Sequence, residues 1–217
     1  MIQPAAYRRS RRAWLAAWLL AIAGGAAYAW FGLKLRHEVC PRNFGVVEPG
    51  RIYRSAQLHR RLVERTLAAH GIRTVIDLSA DVPGDPNEAA EREAIDRLGC
   101  TRHEIGGLDG DGIGDARAYA EALRRMAAAK ARGEPVLIHC MSGAQRTGGA
   151  VALYRLLVEG ASAQQAREEL LRYGHRPARN PRLIPFLNEQ MPEVAELLVA
   201  MGVIAHQPIP LPRLEAD

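Results

Sequence analysis

The stretch Val136-Leu137-Ile138-His139-Cys140-Met141-Ser142-Gly143-Ala144-Gln145-Arg146-Thr147 constrains this chain more than any other. Its apolar start has the length and branched content of a buried strand and ends abruptly at His139-Cys140. A short loop containing Gly143 follows, and a long amphipathic segment begins at Arg146-Thr147. Strand, tight loop and helix start, in that order, turn consecutive backbone N–H groups toward one point, and the helix adds its positive end. Such a loop binds an anion. A cysteine beside those N–H groups, with Arg146 nearby, has a depressed pKa and reacts as a thiolate. Arg146 grips two oxygens of a phosphate in one plane, which a lysine cannot do. A thiolate inside an anion cradle predicts phosphoryl transfer through a cysteinyl-phosphate intermediate.

The same residues carry a resemblance. His139-Cys140, Gly143 and Arg146-Thr147 resemble the signature of the cysteine-dependent protein tyrosine and dual-specificity phosphatase superfamily, in the expected strand–loop–helix context. The resemblance implies that Cys140 is the nucleophile and that Met141, Ser142, Gly143, Ala144, Gln145 and Arg146 form the phosphate-binding loop. It implies a structural His139 that holds the loop and tunes Cys140, and a Thr147 hydroxyl that donates to the sulfur as it leaves. No metal or cofactor is expected, because Arg146 and the helix end supply the positive field. The run Gly50-Arg51-Ile52-Tyr53-Arg54-Ser55-Ala56-Gln57 is similar to the N-terminal element of the dual-specificity branch and its inositol-phosphate relatives, which packs beside the catalytic loop. A structural salt bridge is the competing role for Arg54. Arg176-Pro177 and Asn180-Pro181 are similar to the turn in which the family's Asn braces that loop, a role that falls to Asn180. Arg176, Arg179 and Arg182 flank this turn and are candidates for a basic rim, or simply solvated charges.

A cysteinyl-phosphate mechanism needs a general acid to protonate the departing oxygen. In the family this is an Asp on a loop ahead of the catalytic strand. Here Gly106 to Asp115 holds five glycines and three aspartates, and is expected to be mobile. Asp115 precedes a helical segment and fits an N-cap. Asp111 is the preferred acid and Asp109 the runner-up. A Ca²⁺ loop is the competing reading, but the twelve-residue pattern with a closing Glu is missing.

Charge decides against nucleic acid as a partner. The pI of 9.4 rests on the N-terminus, where residues 1–36 carry six Lys and Arg and no acid. The rest holds 23 basic against 24 acidic residues. From Ala13 to Leu33 no residue is charged, long enough for a helix to cross a membrane. Arg8, Arg9, Arg11 and Arg12 before it predict a cytoplasmic N-terminus and a catalytic domain beyond the inner membrane, in the periplasm. Ala27-Tyr28-Ala29 offers a cleavable signal peptide instead, and Ser10 to Leu15 weakly resembles a twin-arginine signal. An uncleaved anchor is preferred because apolar residues continue to Leu33. Three cysteines make no disulfide framework, and whether Cys40 and Cys100 pair stays open.

The expected organisation is a basic segment 1–12, an anchor or signal helix 13–33, a linker 34–43, a catalytic domain 44–203 and a loosely held Pro-rich tail 204–217. Within the domain, 41–50 reads as a loop, 57–69 as a helix and 74–78 as a strand. A helix capped by Asn87 runs to Leu98, a strand covers 101–105, and a helix covers 115–132. The helix after Arg146 is expected to reach Gly160, one capped by Ser162 to reach Tyr173, and a last to span 182–201. Alternating strands and helices predict an α/β fold, three-layered and phosphatase-like, with a mostly parallel sheet. The expected partner is a phosphorylated protein. A phosphoinositide or inositol phosphate is the alternative, although residues 141–145 lack the extra Lys or Arg that loops for such substrates often carry. Rhodanese-like sulfur transfer and a non-catalytic phosphate-binding module are the remoter alternatives, opposed by Arg146-Thr147 and by the intact Cys140, Arg146 and acid loop.

Overall fold

The computed structural model describes residues 4–214. Residues 1–3 and 215–217 lie outside it, as do the side chains of 4–13, 33 and 34, and with them the four N-terminal arginines and most of the export-like segment. The chain divides into two compact units, Met1–Cys40 and Pro41–Asp217.

The first unit is one helix, α1 (Pro4–Val39). Its segment Trp14–Val39 is long and apolar enough to cross a membrane, by length and composition. Trp14, Trp18, Leu19, Leu20, Ile22 and Phe31 are all exposed along it. The helix runs past Leu33, so residues 34–39 of the expected linker are helical.

The second unit is built on a five-stranded sheet of order β1-β2-β5-β3-β4. The strands are β1 (Gly45–Glu48), β2 (Ile52–Ala56), β3 (Thr74–Asp77), β4 (Thr101–Glu104) and β5 (Val136–Cys140). Only β1 is antiparallel, forming a hairpin with β2, while β2, β5, β3 and β4 run parallel. Strand β1 lies inside what reads as a loop. Its four residues Gly-Val-Val-Glu carry little pattern, and their pairing to β2 is what makes them a strand.

Seven helices complete the described chain. After α1 come α2 (Val63–Ala69), α3 (Pro86–Leu98), α4 (Ala116–Ala131), α5 (Arg146–Leu153), α6 (Ala163–Arg172) and α7 (Leu183–Ala200). Side chains alternate across a strand, and here the two sets enter two separate cores. Ile52, Ile76, Val136 and Ile138 pack against α4, α5 and α7, whereas Tyr53, Val75 and Leu137 pack against α2 and α3. Three layers result.

Local corrections have simple causes. Helix α2 begins at Val63 rather than at 57, since Gln57 continues from β2 and donates its N–H to Cys140 O. Asp85, not Asn87, caps α3, accepting from Asn87 N at 2.7 Å with Pro86 at the first helical position. Helix α5 ends at Leu153 and widens into a π turn over Tyr154–Val158. Ser162 caps α6 through a complete capping box. The tail is pinned rather than loose: Asn188 on α7 exchanges two hydrogen bonds with the buried Leu214, at 2.7 and 2.8 Å.

Candidate active site

The parallel strands β2, β5 and β3 end level with one another, Ala56 opposite Cys140 and Asp77 opposite His139. Ligands of open α/β sheets bind at this carboxyl edge. The chain leaves β5 there, turns through 141–145 and enters α5 at Arg146. Gly143 makes the turn possible. Its φ of 68° is left-handed, and a Cβ added to it would lie 2.5 Å from Ala56 N and 2.6 Å from Ser55 O.

Cys140 sits at the bottom of this loop, buried, with the Gly143 N–H donating to its Sγ at 3.2 Å. Burial alone pushes its thiol up. The Thr147 hydroxyl and N–H, the Arg146 charge and the Gly143 N–H outweigh that and hold it below its ordinary value. Thr147 Oγ1 is buried and has no hydrogen-bonded partner elsewhere among the described residues. Arg146 is fixed by its Nη1, which donates to Leu78 O at 2.9 Å, and its Nε is buried with no hydrogen-bond partner among the described residues.

His139 takes the opposite direction. As the neighbour of Cys140 on a strand it points to the other face of the sheet, toward α3. There its Nε2 lies 3.2 Å from Glu91 and its Nδ1 3.7 Å from Asp77. Arg102 on β4 completes the cluster, 2.6 Å from Asp77, 3.1 Å from Glu91 and 3.4 Å from Glu88. Asp77, Glu91 and His139 are metal-ligand types close enough to share an ion. However, the Arg102 guanidinium already occupies the carboxylate side, so the cluster fits a buried ion-pair network better than a cation site. Burial pushes the His139 imidazolium down, but Glu91 and Asp77 overcome this and hold its pKa at about 9.

This has a consequence for stability. A group whose pKa is higher folded than unfolded stabilises the fold fully below the unfolded value, about 6.5 for His, and loses that contribution as pH rises through the folded value. Thermal stability of the full chain in detergent is therefore expected to fall between pH 6.5 and about 9, by at most on the order of 3 kcal/mol. Glu91→Gln should lower stability at pH 6.5 and flatten the slope. Equal slopes in the two proteins would show that His139 is not held charged by Glu91.

Arg54 lies beneath the loop, fully buried. Its Nη2 donates to Gly143 O at 2.9 Å, its guanidinium stacks 4.0 Å from the Tyr173 ring centre, and Glu169 lies 3.8 Å away. Burial pulls its pKa down to about 10, with Glu169, Tyr173 and Cys140 opposing, so it stays charged at neutral pH. Arg54 thus touches the loop and also faces a carboxylate. On the outer side, Asn43 Nδ2 donates to Ser142 O at 2.8 Å.

The glycine-rich stretch folds into a hydrogen-bonded turn. Asp109 Oδ1 accepts from both Asp111 N and Ile113 N at 2.9 Å, and Leu108 bridges to Gly114. Asp109 is thus bonded into its own turn. Asp115 caps α4 as expected, accepting from Arg117 N. The buried Tyr119 hydroxyl donates to Gly112 O at 2.7 Å, and burial, reinforced by Cys140, pushes that hydroxyl far up and keeps it a neutral donor. Asp111 reaches the other way. Its Oδ1 accepts from Asn180 Nδ2 at 2.7 Å, and its Oδ2 lies 3.4 Å from Arg182 Nη2.

Asn180 also meets the phosphate loop, accepting from Gln145 Nε2 at 2.7 Å, and Gln145 Oε1 lies 2.8 Å from Nδ1 of the buried His175. The structure therefore brings Cys140, Arg146, Thr147, Arg54, Asn180 and Asp111 around one loop, and sets His139 behind the sheet. Of the flanking arginines, Arg176 bonds Leu171 O and His175 O at the end of α6, and only Arg182 approaches Asp111. Sequence reasoning missed Tyr119, His175 and the Gln145 side chain. Nothing in their local pattern separates them from ordinary core or loop residues.

Comparison with known proteins places these features. The family described as Swiss Army Knife protein, DSP-PTPase phosphatase domain, matches residues 41–194. The dual specificity protein phosphatase TpbA of Pseudomonas aeruginosa strain UCBPP-PA14 is 44% identical over 64 residues, which are 30% of this chain and 28% of that protein. The aligned stretch thus spans little more than a quarter of that relative's length. Among solved structures, P. aeruginosa TpbA superposes with a TM-score of 0.58 at 25% identity, covering 74% of this chain and 91% of that one. The core catalytic domain of the PP-IP phosphatase SIW14 from S. cerevisiae superposes at 0.58 with 18% identity, covering 77% and 98%.

Proposed function

The chain belongs to this DSP-PTPase phosphatase domain family, and from that premise we propose that it hydrolyses phosphomonoesters through a cysteinyl-phosphate intermediate. The observation that carries the reading is the environment of Cys140: a buried thiol at the edge of a parallel sheet, with Gly143 N–H, Thr147 and Arg146 all favouring its thiolate. In the first step the sulfur attacks phosphorus, an S–P bond forms and the P–O bond to the leaving group breaks. Arg146 and the loop N–H groups hold the three non-bridging oxygens. Asp111 gives its proton to the departing oxygen. In the second step Asp111 takes a proton from water as the water oxygen bonds phosphorus, and the thiolate leaves toward the Thr147 hydroxyl. Arg54 and Asn180 brace the loop. The bonding of Asp109 into its own turn supports Asp111 as the acid.

A phosphorylated protein is the proposed substrate. Support comes from the naming of the curated relative as a dual specificity protein phosphatase and from a loop without added Lys or Arg. The arginines before the apolar helix support a catalytic domain on the periplasmic side. One assay in EDTA tests both points. A membrane-impermeant phosphotyrosyl peptide should be hydrolysed by the full chain in detergent and by spheroplasts that carry it. Turnover of phosphoinositide alone would overturn the substrate, and peptide turnover only after lysis would overturn the orientation.

A further inference from the structure

The Asp111 carboxyl is the end of a hydrogen-bonded chain that starts three segments away, at His175. His175 Nδ1 faces Gln145 Oε1 at 2.8 Å, Gln145 Nε2 donates to Asn180 Oδ1 at 2.7 Å, and Asn180 Nδ2 donates to Asp111 Oδ1 at 2.7 Å. The buried Nε2 of His175 has no hydrogen-bond partner among the described residues, which places the ring's one hydrogen on Nδ1, the nitrogen that faces the Gln145 oxygen. We propose that His175 and Gln145 are positioning residues for the acid step, setting the orientation of Asn180 so that the transferable proton of Asp111 resides on Oδ2, the oxygen that faces the exposed Arg182 at 3.4 Å rather than the Asn180 amide. The proposal rests on Asp111 being the general acid.

With an N–H from His175 in front of it, the Gln145 amide cannot flip without setting its NH₂ against that N–H and its oxygen against Asn180 Oδ1. Gln145 Nε2 therefore claims Asn180 Oδ1, and only the Asn180 NH₂ is left to face Asp111. A carboxylic acid carries one proton, and the oxygen that accepts from Asn180 is the one without it. Were Asn180 reversed, its carbonyl would accept the Asp111 proton and hold it away from the substrate. The head of the chain is secure: His175 is 1% exposed, and its Nε2 is buried without a partner among the described residues, as suits a neutral ring with its hydrogen on Nδ1. Burial, then Arg167 and Arg176, push its pKa down.

The acid loop does not depend on this chain for its place. Tyr119 holds Gly112 O, and Gly112 packs so closely that an added Cβ would lie 3.3 Å from the Gln145 carbonyl carbon. Loss of the His175 hydrogen should therefore scramble the amide orientations while the loop stays put.

The test uses leaving groups, because a general acid matters most when the departing oxygen is basic. The full chain in detergent is assayed with p-nitrophenyl phosphate, whose nitro group stabilises the departing anion, and with phenyl phosphate, whose phenoxide has a pKa of about 10, as for tyrosine. His175→Phe should lower kcat on phenyl phosphate by roughly 10- to 100-fold, with a far smaller loss on p-nitrophenyl phosphate. His175→Asn, which returns an N–H close to the Nδ1 position, should recover most of it. Should His175→Phe fail to fold by circular dichroism, Asn180→Ala takes its place with the same expected split. Equal losses on both esters, or no loss, while Asp111→Asn still discriminates between them, would overturn the positioning chain alone. If Asp111→Asn does not discriminate, the acid assignment falls and the proposal with it.

Discussion

Cys140→Ser is expected to reduce hydrolysis of p-nitrophenyl phosphate in EDTA to background, a loss of roughly 10⁴–10⁶-fold. A serine hydroxyl occupies almost the same space and meets the same Gly143 N–H, so the loop should keep its shape. What changes is the fraction of anion. The features that lower the Cys140 thiol suffice for a group whose ordinary pKa is about 8.5. An alkyl hydroxyl starts far higher, and the adjacent imidazole, His139, points to Glu91 on the opposite face of the sheet and does not take its proton. The variant should still bind phosphate esters, because Arg146 and the loop N–H groups are untouched. Substantial turnover by Cys140→Ser would sink the cysteinyl-phosphate mechanism.

Asp111→Asn should lower kcat by roughly 10²–10⁴-fold on an ester with a basic leaving group. The substitution is nearly isosteric and keeps an oxygen to accept from Asn180, so structure should survive and only the proton is lost. Asp109→Asn is the informative control. Asp109 receives the N–H groups of Asp111 and Ile113, and an amide oxygen can still do so. Its effect should be small and equal across leaving groups. If instead Asp109→Asn gives the large, leaving-group-dependent loss, the acid has been assigned to the wrong carboxyl.

How much of this site is legible in the chain depends on how far apart its parts lie. Cys140, Gly143, Arg146 and Thr147 fall within eight consecutive residues, and their geometry follows from a strand, one left-handed glycine and a helix start. The caps Asp115 and Ser162 are equally local. Strand β1 and the pinned Leu214 escape a reading of the sequence because each is made by a partner elsewhere, β2 in one case and Asn188 in the other. The choice between Asp109 and Asp111 has the same character. Two aspartates two residues apart look alike until one is seen closing its own turn and the other reaching Asn180, 69 residues away.

The amino-acid sequence by itself shows the proposed nucleophile and its loop, the apolar N-terminal segment and the alternation of strands and helices, all products of spacing and backbone preference over a few residues. The tertiary structure alone decided that His139 is charged by Glu91 and Asp77 behind the sheet, and that Asp111 is addressed by His175 through two amides. Both depend on closing loops of 30 to 69 residues between side chains with no local signature. The free energy that closes such loops comes from the two hydrophobic cores on either face of the sheet, not from the polar residues those cores bring together.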